Sequence, residues 1–195
     1  MVRPILFNTN MVRKILDGRK TVTRRLNKCP YRVNDILYVR ETWCWCPCWD
    51  CGMDSEEGCC DKTADKFYNH NKGEMGCYGY KASFEDDEQP FDRWYPSIHM
   101  PKEAARIFLK VMDVRVERLQ DITDIEAEKE GAQPQNPCDY DVNKWPNKEH
   151  FKEIWNSTIK KSDLDCCGWD ANPWVWVIEF EQCEKPQGWE RKVKE

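Results

Sequence analysis

"IFLKVMDVRVERL", residues 107–119, is the stretch on which the fold reading turns. Val111, Asp113, Arg115 and Glu117 alternate with Met112, Val114 and Val116, the two-residue period of a strand with one wet and one buried face. It predicts a long strand from about Ile107 to Leu119, with a short helical turn ahead of it near Lys102–Ala105. Downstream, "TDIEAEKEG" (123–131) has the pattern of a capped helix stopped by Gly131. "NKEHFKEIWNSTI" (147–159) places Phe151, Ile154 and Trp155 at amphipathic helical spacing. "NPWVWVIEFEQC" (172–183) is the final strand, and the polar tail 184–195 is expected to fray.

Upstream, "PILFN" (4–8) predicts a short strand. "TNMVRKILDG" (9–18) predicts a helix, with Met11, Val12, Ile15 and Leu16 on one face, Asn8 or Thr9 as its cap and Gly18 as its stop. "TVTRR" (21–25) is β-prone. "DILYVRETW" (35–43) is a stronger strand, with Ile36, Tyr38, Arg40 and Thr42 on one face and Leu37, Val39 and Glu41 on the other. From Trp43 to Gly79 seven cysteines fall among Gly, Asp and Asn with no period, and the segment reads as an inserted loop or a small metal-held subdomain. The fold class is α+β: a partly closed antiparallel β-barrel with flanking helices, one domain over 1–183 with a Cys-rich insertion at about 43–79.

The 195 residues include ten tryptophans and twelve cysteines and carry a net charge of -5, with 30 Lys and Arg against 35 Asp and Glu. That balance argues against a general nucleic-acid coat protein and leaves room for a local basic site. No stretch approaches the ~20 apolar residues of a membrane span, and "MVRPILFNTN" has too short an apolar run for a signal peptide. The expectation is a soluble cytoplasmic protein with no membrane contact and no disulfide-linked partner, whose cysteines are thiols or metal ligands.

Against the acidic total, "GRKTVTRR" (18–25) gathers Arg19, Lys20, Arg24 and Arg25 around two threonines. By itself it is a solvated helix exit or a site for something anionic. The blocks "ILDGRKTVTRR", "DILYVRETW", "YKAS", "PSIHMPKEAARIFLKV", "VRVERLQDIT", "EAEKEGA" and "NPWVWVIEF" together resemble the ASCH domain family, whose fold is a PUA-like barrel, and within it the phage- and prophage-encoded branch. Asn34 stands where that family usually has Gly before the strand's aspartate, and Asn tolerates the left-handed backbone such a turn needs. The resemblance implies binding of RNA or a modified nucleoside in a basic cleft. One branch of the family removes the acyl group from N4-acetylcytidine with a Lys, a Thr and a Glu. Its "GRKTxT" motif falls on Lys20 and Thr23, and its "AxxE" context on Ala127 to Glu130. Another branch is linked to ribonuclease activity.

Amide hydrolysis needs a nucleophile, a proton acceptor and a group that stabilises an oxyanion. Thr23 is the candidate nucleophile. Lys20 can be its base near neutral pH only if burial or cationic repulsion weakens its hold on protons, at a cost of roughly 4 kcal/mol. Glu130 beside it opposes that unless it acts on a different proton, such as that of the leaving amine. The alternative is Glu130 as base with Lys20 charged and polarising the carbonyl. Lys20 and Thr23 are three apart, on opposite faces of a regular strand, and converge only if the chain turns between them. Arg19, Arg24, Arg25 and Arg40 are candidate phosphate or substrate contacts, Trp43 a stacking ring, and Ser97 and His99 further substrate contacts. Equally, Trp43 can be core with Arg40 in a surface ion pair, and His99 a structural hydrogen-bonded residue.

No cofactor is expected for catalysis. A structural zinc is the candidate metal, with Cys48 and Cys51 as a Cys-x-x-Cys pair, Cys59 or Cys60 and Cys77 completing the site, and Cys44, Cys46 and His70 as spares. Reduced, partly buried thiols are the other reading. The functional alternatives to an amidohydrolase are a non-catalytic RNA-binding module and a phage-associated interaction module.

Overall fold

The computed structural model describes residues 1–26, 28–48, 67–69, 72–85, 87, 93–132 and 147–189. In chain order the elements are β1 (Val2–Leu6), α1 (Thr9–Leu16), β2 (Val22–Arg25), β3 (Ile36–Arg40), β4 (Trp43–Pro47), β5 (Phe67–Asn69), β6 (Glu74–Tyr80), β7 (Phe108–Arg118), α2 (Asp124–Lys129), α3 (Asn147–Thr158), α4 (Leu164–Cys167) and β8 (Trp174–Cys183). The class is α+β. The described strands form a five-stranded sheet in the order β1-β3-β7-β8-β2 and a three-stranded sheet in the order β4-β6-β5. No closed barrel forms among them, because β1 and β2 end the larger order and the smaller sheet pairs only within itself. No helix among the described residues is long and apolar enough to cross a membrane.

The chain packs as two compact units. The first comprises Met1–Ile5, Lys14–Tyr38 and Ile107–Pro186, and the second Leu6–Arg13, Val39–Arg106 and Gln187–Glu195. In the first, β7 and β8 pair antiparallel from Phe108↔Cys183 to Arg118↔Trp174, and β2 adds to the far edge of β8 through Thr23↔Ile178 and Arg25↔Trp176. The register slips between Val111 and Asp113, so Met112 is the extra residue of a β-bulge.

That bulge revises the expected faces of the long strand. Val111, opposite Phe180, and Asp113, opposite Glu179, end on different sides of the sheet, although the sequence spacing puts them together. One side carries Val22 and Arg24 of β2, Val175, Val177 and Glu179 of β8, and Asp113, Arg115 and Glu117 of β7. The other carries Thr23 and Arg25, Trp174, Trp176 and Ile178, and Val114, Val116 and Arg118. The charged side is the interior one. There α2 and α3 bring Ala127, Phe151 and Trp155 against Val22, Val175 and Val177 in one apolar cluster. Met112 and Val116, expected among the buried face, are exposed.

In the second unit, residues 43–47, 67–69 and 74–80 are strands rather than an aperiodic loop, with Cys46↔Cys77 and Trp43↔Tyr80 as cross-strand pairs. Trp45 is buried and donates to Glu74 Oε1 at 2.8 Å. Gly76, opposite Pro47, is required beside the Trp45 ring, since a Cβ there would collide with the indole and with Cys46 O. The strand read as 35–43 stops at Arg40. Glu41 turns into the interior, where Arg106 grips both of its oxygens at 2.9 and 3.0 Å.

Candidate functional site

The site grows from two chain reversals in the first unit. Gly18, at φ 72°, ends α1, and the N–H groups of Arg19 and Lys20 both donate to Lys14 O at 2.9 and 3.0 Å. At the other, α2 begins with a capping box, Thr123 and Glu126 bonding each other's backbone N–H. It ends in a Schellman turn: Ala132 N donates to Ala127 O and Gly131 N to Glu128 O. Gly131 takes φ 81°, and a Cβ there would meet Lys14 Cδ at 2.7 Å, so both backbone and space demand glycine. Glu130 is thereby held at the end of α2 and bridges to Lys20, while Thr21 N donates to Lys129 O.

The Lys20 ammonium, 1% exposed, donates to Glu130 Oε2 at 2.5 Å, Glu130 O at 3.0 Å and Val22 O at 2.8 Å. Phe180 N donates to Thr21 O, so by antiparallel alternation the Val22 carbonyl points off the free edge of β2, where the lysine curls back to meet it. Burial lowers the lysine's pKa, the carboxylate of Glu130 opposes that, and Arg25 and Arg24 reinforce it. Arg24, also buried, spans Glu130 Oε1 at 3.3 Å, Glu117 Oε1 at 2.6 Å and Glu126 Oε2 at 3.5 Å. Its Nε is buried without a hydrogen-bond partner among the described residues. Arg115 continues the chain of charge to Glu126 at 2.8 Å, Glu179 at 2.5 Å, Asp113 at 3.1 Å and Glu117 at 3.3 Å, and those carboxylates hold its proton more firmly than usual against burial.

The structure therefore brings Lys20 and Glu130 into direct contact, with Arg24 on the second carboxylate oxygen. Thr23 is buried one residue from the carbonyl that Lys20 grips, yet β2 alternation turns its side chain to the opposite face from Arg24. No hydrogen bond among the described residues joins its hydroxyl to Lys20 or Glu130. The cations of "GRKTVTRR" face carboxylates: Arg19 pairs Asp17 at 2.7 Å, and Arg25, half-buried, has its pKa lowered by burial against the pull of Glu130 and Tyr31.

Arg40, Trp43, Ser97 and His99 belong to the second unit. Arg40 donates from Nε and Nη2 to Met100 O at 3.0 and 2.7 Å, so this guanidinium holds backbone. Trp43 stacks on Tyr95 at 4.7 Å and meets Tyr78 edge-on at 5.5 Å. Ser97 and His99 form a single 3₁₀ turn in which His99 is exposed. Of the metal candidates, Cys51, Cys59, Cys60 and His70 lie outside the described residues. Cys48 follows β4 and donates its N–H to Met75 O at 2.9 Å, and Cys77 lies on β6. Cys44, Cys46 and Cys77 are not disulfide-bonded, and the Cys44 and Cys46 sulfurs lie 3.7 Å apart.

Sequence reasoning missed Glu117, Glu126, Arg115 and Arg106. The first three hold Arg24 and its neighbours, and the signal was their i, i+2 alternation with Asp113 on β7 and the capping-box glutamate. Compared with protein-family models, curated proteins and solved structures, the chain gives no match.

Proposed function

We propose that the chain is a PUA-like ASCH-domain protein that takes up a modified nucleoside, free or within RNA, beside Lys20 and Glu130 and hydrolyses the amide of N4-acylated cytidine. One observation carries the reading: a fully buried lysine whose ammonium lies 2.5 Å from a carboxylate 110 residues away in sequence. Three acceptors around Nζ suit the ammonium. Burial lowers the pKa of Lys20, and in the proposed cycle the ammonium hands one proton to Glu130 Oε2.

That transfer separates two roles which compete in a static pair. The Lys20 amine takes the Thr23 hydroxyl proton as Oγ bonds to the acyl carbon. Protonated Glu130 gives its proton to cytidine N4 as the C–N bond breaks, leaving an acyl ester on Thr23. Water then attacks that ester. Glu130 accepts the water proton and returns it to Thr23 Oγ, releasing the carboxylic acid. A second reading, binding without hydrolysis, is favoured by the Thr23 hydroxyl's lack of a bond to Lys20.

Purified protein incubated with N4-acetylcytidine decides between them. The expected result is cytidine release by wild type that falls by at least about 10²-fold in Thr23→Ala. Equal release by both proteins removes Thr23 as nucleophile, and release by neither removes the hydrolase and leaves the binding reading.

A further inference from the structure

The two faces of the β2-β8-β7 sheet are chemically sorted. Asp113, Glu117 and Glu179 lie on the side that meets α2 and α3. The other side offers Thr23, Arg25, Trp174, Trp176, Val116 and Arg118, with no carboxylate at any of its described positions in β2, in β7 after the bulge or in β8 from Trp174 to Ile178. It is covered at one end, where Ile178 and Thr23 are buried, and open at the other, where Trp174 is 57% exposed. Arg118 lies over that indole, Cζ 4.4 Å from the ring centroid, and is tethered by donating to Asn172 O at 3.0 Å. Val116, opposite Trp176, is exposed beside it.

An exposed indole beneath a guanidinium, with no carboxylate at the described positions of this face, suits one ligand class: stacked bases linked by phosphates. An acidic peptide would use the Arg118 guanidinium and leave the indole idle; an apolar one would leave that guanidinium without an anion. We infer that this open face is a stacking platform for single-stranded RNA, with Trp174 and Arg118 holding a nucleotide that flanks the one presented at Thr23. The inference rests on the proposed reading of Thr23 and deepens it by naming a polymer as substrate. Ile178, the cross-strand partner of Thr23, and Trp174 are four residues apart on β8, roughly 13 Å. That is several base-stacking steps of about 3.4 Å, beyond the reach of one base.

The test pairs two measurements on the full chain: anisotropy of a short, unstructured, labelled pyrimidine oligoribonucleotide, and release of cytidine from free N4-acetylcytidine. Trp174→Ala is expected to weaken oligonucleotide binding roughly tenfold or more, the loss of one base–aromatic stack. Arg118→Ala weakens it less, Trp174→Phe retains most of it, and free-nucleoside turnover is unchanged in all three. Equal affinity of Trp174→Ala and wild type overturns the platform, as does no oligonucleotide binding by wild type. Loss of free-nucleoside turnover in Trp174→Ala overturns it too, because the residue lies away from the reacting atoms. Trp174-dependent binding without any nucleoside hydrolysis by wild type supports the platform and sinks the hydrolase reading alone.

Discussion

Lys20 and Glu130 are each other's replacement for water. Removing one partner strands the other's charge in a place where solvent cannot reach it, which costs about 3–5 kcal/mol, whereas removing both together can be nearly neutral. Lys20→Met and Glu130→Gln are therefore each expected to lower the urea midpoint strongly. The double variant recovers much of the loss, giving a coupling energy in a double-mutant cycle. Glu130→Gln is the worse single change, because it also strips Arg24 of one carboxylate. Additive losses would mean that the pair is not formed in solution. At this scale the sequence was partly legible. "GRKTVTRR" announced its cations, and Glu130 came with the resemblance. The carboxylates that occupy Arg24 did not announce themselves, since Asp113, Arg115 and Glu117 alternate as a solvated face does. Polarity alone does not say which side of a strand a helix covers.

At the scale of elements, α2 is the hinge of the site, and its ends were readable because both rest on local chemistry. Thr123 with Glu126 three residues on, and Gly131 after the last turn, bracket the helix as found. Glu126 has a second task. Burial opposes its charge, but the Thr123 N–H and then Arg24 and Arg115 outweigh that and hold its pKa below the ordinary 4.5. A depressed carboxylate stabilises the fold above its unfolded pKa and loses that contribution as pH falls through its folded one. Glu126→Gln keeps an acceptor for the Thr123 N–H and cannot titrate, so its stability should fall less steeply between neutral pH and the acid limb than that of wild type. Parallel pH profiles of urea unfolding would show that the charge on Glu126 is unimportant. The strand boundaries fared unevenly. β8 and β7 lie within the stretches that predicted them, but "DILYVRETW" broke after Arg40 because Glu41 is anchored inward by Arg106, 65 residues away. Pairings of that range leave no local pattern. The three-stranded sheet was missed for a related reason: cysteine and glycine mask the strand period in β4 and β6.

For the molecule as a whole, charge is distributed against intuition. The net -5 is compatible with an RNA ligand because the acids of the central strands gather on the helix-covered side. Among the described positions of β2, β8 and β7 after the bulge, the other side carries Arg25, on which Glu130 already pulls, and Arg118. Oligonucleotide affinity should therefore fall with salt at a logarithmic slope between about -0.7 and -1.4, one or two phosphates neutralised on a single strand. Titrations from low to physiological salt measure it, and a slope steeper than about -3 would indicate a broad polyelectrolyte surface elsewhere. This sorting depends on one unpaired residue. Met112 adds a single position to β7, and everything C-terminal to it in that strand changes sides. Pairing Met112 with Glu179 in a regular ladder, rather than looping it out, would carry Asp113 and Glu117 outward and drive Val114 and Val116 beneath the helices. The same amino acids would then place two carboxylates on the outer face, so the charge of that surface is set by strand register rather than by composition.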